Sequence, residues 1–251
     1  GLPGVAYLTG IADAGWTAIG LAVGTYLNWL IVAKRLRRYS VACGAITIPD
    51  FFSRRYRDDR NILMCIAAIV ILIFFIPYTA SGFKAVGTLF NSLFGWSYMA
   101  SVVVGAIVII SYTSVGGFSA VATMDLIQSI IMTVALCIIV TFGVVQAGGM
   151  DAVLAHARSL PGFLSFSQTY NAASGQAEPY GIIRIVSMLA WGLGYFGMPH
   201  ILVRFMAIRH EDELKLSRRI AAIWVVISMA VAVFIGIVGH AVSNEGRIPL
   251  L

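Results

Sequence analysis

Apolar residues in this chain come in long runs rather than in alternation. After Asp13, the stretch "DAGWTAIGLAVGTYLNWLIVA" carries no further charge until the basic run "KRLRR". At 1.5 Å rise per residue, about 20 apolar residues of helix span the ~30 Å hydrocarbon core of a bilayer. The same pattern recurs and predicts six spanning helices, at about residues 13–33, 61–90, 96–114, 121–146, 181–207 and 217–242. Pro77 and Gly82 are expected to interrupt the second. A longer polar loop, "AGGMDAVLAHARSLPGFLSFSQTYNAASGQAEPY", separates the fourth from the fifth. After the first helix, "AITIPDFFSRRYRDD" predicts a short amphipathic helix opening near Pro49, with Phe51 and Phe52 on the membrane surface. The predicted fold class is all-α, a polytopic transmembrane helical bundle forming a single domain over residues 1–251.

Composition agrees. Of 251 residues, 59% are hydrophobic and 11% charged, against about 25% charged in a soluble domain, and the mean hydropathy is +0.90. The net charge of +6 does not point to nucleic acid, because thirteen of the seventeen Lys and Arg fall in two stretches, 34–60 and 204–219. Basic residues gathered in short loops between apolar segments set membrane orientation. Helices one, three and five are therefore expected to run inward, with both basic loops cytoplasmic. The chain opens with Gly and stops at "RIPLL" just after an apolar segment, so an internal piece of a longer protein is expected.

Candidate chemistry is sparse. Cys43, Cys65 and Cys137 show neither metal-ligand spacing nor a disulfide framework. His156, His200, His210 and His240 are scattered, and no nucleophile, base and oxyanion donor converge. Neither an enzyme nor an organic cofactor is expected. The stretch "LAWGLGYFGMPH" contains a GxGxxG spelling at Gly192, Gly194 and Gly197. A dinucleotide loop needs a strand before it and aqueous access. Here the glycines sit inside a long apolar run, which rejects that reading.

Glycine and proline in mid-membrane still need a reason. In transporters, interrupted helices near the midplane form substrate and ion sites. Trp191 and Tyr195 are four apart and Pro199 four further, which places them on one face of an α-helix. Pro199 has no N–H, so a carbonyl near Tyr195 loses its intrahelical partner. Indole N–H, phenol O–H and freed carbonyl would line a pocket for a small polar solute; helix packing through the glycines explains the same residues. The second helix repeats the theme in "FFIPYTASG", with Tyr78 beside Pro77. Asp125 stands at the predicted start of the fourth helix. It marks either an ion path or a carboxylate favoured by the helix dipole.

Together, "AITIPDFFSRRY", "YTSVGGFSAVATMDLIQ" and "AWGLGYFGMPHILVRFMA" resemble the sodium:solute symporters, and within them the proline branch. The resemblance runs from "GLPGVAYLTG" to the sixth helix. It implies two inverted five-helix repeats alternating access around a central site, with this chain supplying helices three to eight of about 13. It further implies proline as substrate, Na⁺ as coupling ion, and a multi-pass protein in contact with lipid in the bacterial plasma membrane. By the same resemblance, Tyr78, Trp191, Tyr195 and Pro199 are associated with substrate and Asp125 with sodium passage, while the main sodium site lies before Gly1 and after Leu251. Two positions depart from the pattern: Met198 stands where the proline branch has Gln, and Met124 where the family has Thr, next to Thr123. Two rivals stay open. One is another small solute, for which Lys84 and Arg184 would be the basic partners of a carboxylate. The other is a sensor with a symporter-like membrane domain.

Overall fold

The computed structural model describes residues 1–244, and helices dominate it. The chain runs through α1 (Leu2–Thr9), α2 (Ile11–Leu27), a π-helical turn (Asn28–Ala33) and α3 (Lys34–Cys43). Next come α4 (Ile48–Arg55), α5 (Ile62–Phe94), α6 (Tyr98–Gln146) and α7 (Met150–Ser159). A hairpin of β1 (Gln168–Asn171) and β2 (Gln176–Pro179) precedes α8 (Ile182–Leu189), a 3₁₀ segment (Ala190–Phe196), α9 (Pro199–Ala207) and α10 (Glu213–Asn244). Among the described residues, four helices are long and apolar enough to cross a membrane: Ile11–Cys43, Ile62–Phe94, Tyr98–Gln146 and Glu213–Ser243. The pair Ile182–Phe196 and Pro199–Ala207, bent by 46°, makes a fifth if counted as one broken span.

Two expectations change in detail. Pro77 does not end the second helix, and α5 runs through it to an αL glycine, Gly95. Tolerating an interior proline is common in membrane helices, where neighbouring groups satisfy the freed carbonyl. The segments expected at 96–114 and 121–146 both lie in α6, where the break between them is one residue wide. Gly117 has φ 56° and ψ −150°, a backbone region essentially confined to glycine. The polar loop also holds a two-stranded antiparallel hairpin, closed by Gly175 at φ 67°, which periodicity did not announce.

The chain divides into two units, Thr47–Met132 on one hand and Gly1–Ile46 with the chain from Thr133 onward on the other. In the first, α4 opens as expected: Thr47 caps it by accepting from the Asp50 N–H at 3.3 Å, and Pro49 sits in its first turn. Phe51 is buried and Phe52 exposed. Along α5 and the first part of α6 most large apolar side chains, among them Phe74 and Ile107, face outward. That is the surface of helices whose solvent is hydrocarbon.

The second unit has a packed core at one end. Phe163 and Val153 are fully buried with Val233, Ile237 and Val238 of α10. Gly10, at φ 82°, turns α1 into α2 there, and a side chain on it would strike the Phe163 carbonyl. The Ile11 N–H donates to that same carbonyl at 2.8 Å. Two of the scattered histidines meet beside this core. His156 Nε2 lies 3.0 Å from His240 Nδ1, and the His240 ring sits 5.0 Å from that of Phe163 and 5.2 Å from that of Tyr7. No group of three or more His, Cys, Asp or Glu gathers as for a metal among the described residues.

Candidate functional site

The broken span formed by α8, the 3₁₀ segment and α9 lies along α2, the π turn and α3, and both run in the same direction. Four levels of contact join them. At the first, Asp13 in the opening turn of α2 is 6% exposed. Arg184 of α8 donates to it twice, Nη2 to Oδ2 at 2.8 Å and Nε to Oδ1 at 3.2 Å. The Tyr180 hydroxyl also donates to Asp13 Oδ1, and the Arg184 guanidinium stands 4.9 Å from the Tyr180 ring centre. Burial, and then the carboxylate it serves, push the Tyr180 hydroxyl well above the usual phenol range. It therefore remains a donor at any physiological pH.

The second level is backbone on backbone. A Cβ on Gly20 would lie 2.6 Å from the Leu189 carbonyl oxygen, and one on Gly24 would lie 2.3 Å from that of Gly192. Gly192 thus packs against α2, as small residues do where membrane helices approach closely. Gly194 and Gly197 have nothing within 4 Å, or only a backbone oxygen at 3.9 Å. Of the three glycines in the GxGxxG spelling, one serves packing and two leave the break open.

At the third level, the Asn28 amide donates from Nδ2 to the carbonyl of Tyr195 at 2.8 Å. This is the carbonyl that would pair with residue 199 in an α-helix, where proline has no N–H to give. The fourth level closes the other end. Arg37 donates to the carbonyl of Met206 at 2.7 Å, in the last turn of α9 where carbonyls lack intrahelical partners, and to that of Arg209 at 3.3 Å, just past the helix end. Arg38 pairs with Glu211 at 2.7 Å, and that hydrogen bond lowers the Glu211 pKa. Both groups are open to solvent, where such pairs contribute little.

Arg37 has more at stake than membrane orientation. Replacing it by alanine is expected to destabilise the protein by about 1–2 kcal/mol, the loss of charged donors to two helix-end carbonyls. Arg37→Lys should recover part of that, since one ammonium cannot bridge both oxygens. Thermal unfolding of the purified full-length protein in detergent reads the difference; an Arg37→Ala protein as stable as wild type would remove the cap from the account.

The structure modifies the predicted stripe. Residues 190–196 form a 3₁₀ helix, so Trp191 and Tyr195 stand about 120° apart at three residues per turn, and not on the shared α-helical face expected from spacing. Trp191 is 63% exposed, whereas Tyr195 is half-buried. Pro199 begins α9 past the bend, with Met198 as its N-cap and no side-chain cap bond, a place where Met offers no acceptor. Tyr78 lies in α5 of the other unit, 54% exposed, its ring 5.3 Å from Phe75. Asp125 is half-buried in α6, eight residues past the Gly117 break. That is beyond the first turn, where a helix dipole acts strongly. An apolar groove of about 440 Å³ between α2 and α10 contains none of these residues. Asp13, Asn28 and Arg37 were not marked as site residues by the sequence; the one available sign was a lone carboxylate and a lone amide in an apolar run.

Residues 1–247 match the model of the sodium:solute symporter family. The chain belongs to that family. It is 39% identical over its whole length to sodium/proline symporter 2 of Staphylococcus saprophyticus, covering 47% of that protein. It is 41% identical over 246 residues to the high-affinity proline transporter PutP of Bacillus subtilis, with 98% of this chain and 50% of that one aligned. The osmoregulated proline transporter OpuE of B. subtilis matches at 39%, over 98% of this chain and 48% of OpuE. The chain thus spans about half the length of these relatives. A sodium:solute symporter is a transporter rather than an enzyme, and the apolar helices make this one a multi-pass membrane protein.

Proposed function

We propose that this chain takes part in sodium-coupled symport of L-proline across the bacterial plasma membrane. The observation that carries the reading is the break in the span from Ile182 to Ala207. It combines a 3₁₀ turn, two glycines with open space around them, an exposed indole at Trp191, and a half-buried phenol at Tyr195. Discontinuous membrane helices of this kind present polar groups to small solutes. The names of the relatives supply the substrate, proline, and the family supplies the ion. Trp191, Tyr195, Pro199 and Tyr78 are the proposed substrate residues and Asp125 the proposed sodium-path residue. The basic ends near Arg37 and Arg209 face the cytoplasm in this reading.

The work is physical. Sodium stabilises an outward-open state that binds proline better, and that difference in affinity is the coupling. The membrane potential adds ~2.3 kcal/mol per charge per 100 mV, roughly a fifty-fold gradient for one sodium. Of the two basic residues a solute carboxylate would use, Arg184 is held by Asp13. The test is uptake of labelled proline by cells expressing the complete gene, with and without an inward sodium gradient. Sodium-dependent accumulation is expected, and Tyr195→Ala should raise KM about tenfold, the scale of one lost hydrogen bond. A well-expressed protein without such accumulation would move the assignment to another solute.

A further inference from the structure

We propose that Asn28 is the positioning residue of the broken helix: by holding the Tyr195 carbonyl, it fixes the 3₁₀ turn from which Trp191 and Tyr195 project. The inference rests on the substrate site proposed above. Four observations converge on it.

The bond is well made, 2.8 Å from Nδ2 to the Tyr195 oxygen. Its direction is fixed by chemistry, because a carbonyl only accepts and the NH₂ end of the amide must face it. Asn28 is 1% exposed, so water does not compete for its amide. Its own Oδ1 is buried with no hydrogen-bond partner among the described residues. A buried polar atom left unmatched is costly, and a leucine, branched at the same carbon, would avoid that cost. What a leucine lacks is the donor, so the donor is the property this position uses. Finally, Asn28 opens the π turn that follows α2. π turns inside membrane-length helices recur at functional sites, and here the turn begins at the residue that crosses to the break.

The consequence is a division of labour. Pro199 opens the helix by removing an N–H, and Asn28 prevents the opened carbonyl from seeking a partner elsewhere. The 3₁₀ geometry is then set before substrate arrives, which lowers the ordering cost of binding. Asn28 touches no substrate in this arrangement; it acts through Tyr195.

An isosteric change separates positioning from packing. In Asn28→Asp, an ionised carboxylate cannot donate to the carbonyl, while a protonated one can. Relative to wild type at the same pH, Asn28→Asp in the full-length transporter is expected to raise the KM for proline roughly tenfold near pH 9, where the carboxyl is ionised despite its burial. The gap should narrow several-fold near pH 5.5, where a buried carboxyl holds its proton. Maximal rate per transporter at the surface should change little. Asn28→Leu should raise KM at both pH values. A merely structural role would instead lower the amount of inserted protein and leave KM untouched. KM values within twofold of wild type in Asn28→Asp at both pH values would overturn the proposal, whether or not Asn28→Leu inserts.

A second readout keeps this separate from the transport reading. A cysteine introduced at Met198 reports the break through its rate of reaction with a maleimide. With Asn28→Asp in the same chain that rate should depend on pH, converging on the rate of the Asn28 protein as pH falls. If wild type fails to accumulate proline, the function reading fails, and this rate still decides on Asn28. A rate with the same pH profile in both backgrounds counts against positioning.

Discussion

Replacing Gly24 by valine is expected to abolish proline uptake and to leave little folded protein in the membrane. The smallest side chain already fails there: a Cβ would lie 2.3 Å from the Gly192 carbonyl oxygen and 2.6 Å from its Cα. These are backbone atoms, and no rotamer change moves them aside. α2 and the 3₁₀ segment must separate, which strips the contact on both sides of the break. Overpacking a tight core typically costs about 1–3 kcal/mol, and a backbone collision lies at or above the top of that range. Gly24→Ala should fall between valine and wild type. Gly194 provides the control, because nothing stands within 4 Å of its Cβ position. Gly194→Ala should keep near-normal thermal stability in detergent. Equal stability of Gly24→Val and Gly194→Ala would refute the close approach.

The second large effect concerns Asp13. Removing one member of a buried ion pair leaves the other uncompensated, commonly at about 3–5 kcal/mol. Here Arg184 is 47% exposed in its side chain while Asp13 is 8%, so water screens one partner and the figure drops to about 2 kcal/mol. The asymmetry predicts an order. Arg184→Leu leaves a buried carboxylate with Tyr180 as its named remaining donor, whereas Asp13→Leu leaves a guanidinium that can turn to water. Arg184→Leu should therefore be the more damaging, and Asp13→Leu with Arg184→Leu together should lose less than the sum of the two. Melting temperatures of the four proteins settle this. Strict additivity would mean the two residues do not act as a pair.

Much of the architecture could be read from the residues, for reasons that also mark where reading stopped. Apolar runs long enough for a bilayer announced the long helices α5, α6 and α10, since length and hydropathy are properties of a single stretch, though not that two of the six expected segments share α6. Pro49 announced α4 because proline in a helix's first turn is a local signal. The proline at 199 pointed to an unpaired carbonyl near Tyr195, but its partner lies 167 residues earlier. No spacing rule connects Asn28 with Tyr195, or Asp13 with Arg184, or His156 with His240. Arg184 drew notice only as a partner for a solute carboxylate; the carboxylate it holds is Asp13. The stripe through Trp191 and Tyr195 assumed 3.6 residues per turn, and the local winding is tighter. The hairpin before α8 was hidden because four-residue strands are too short for alternation to stand out.

The π turn at Asn28–Ala33 has a geometric effect that reaches further down the helix. One such turn takes up one residue more than an α turn, so everything after it is rotated by about 100° relative to an unbroken α-helix. Arg37 comes nine residues after Asn28, and nine residues of α-helix amount to about two and a half turns. Wound as α-helix throughout, the same residues would point Arg37 away from the side on which Asn28 meets Tyr195. With the π turn, the two differ by about 80°, close enough for a long guanidinium to reach the Met206 carbonyl. The π turn is thus a phase shifter. It lets one rod present its amide to the middle of the broken span and its arginine to the end, and a single-residue deletion within it would restore α winding and leave the arginine in the same phase, eight residues on.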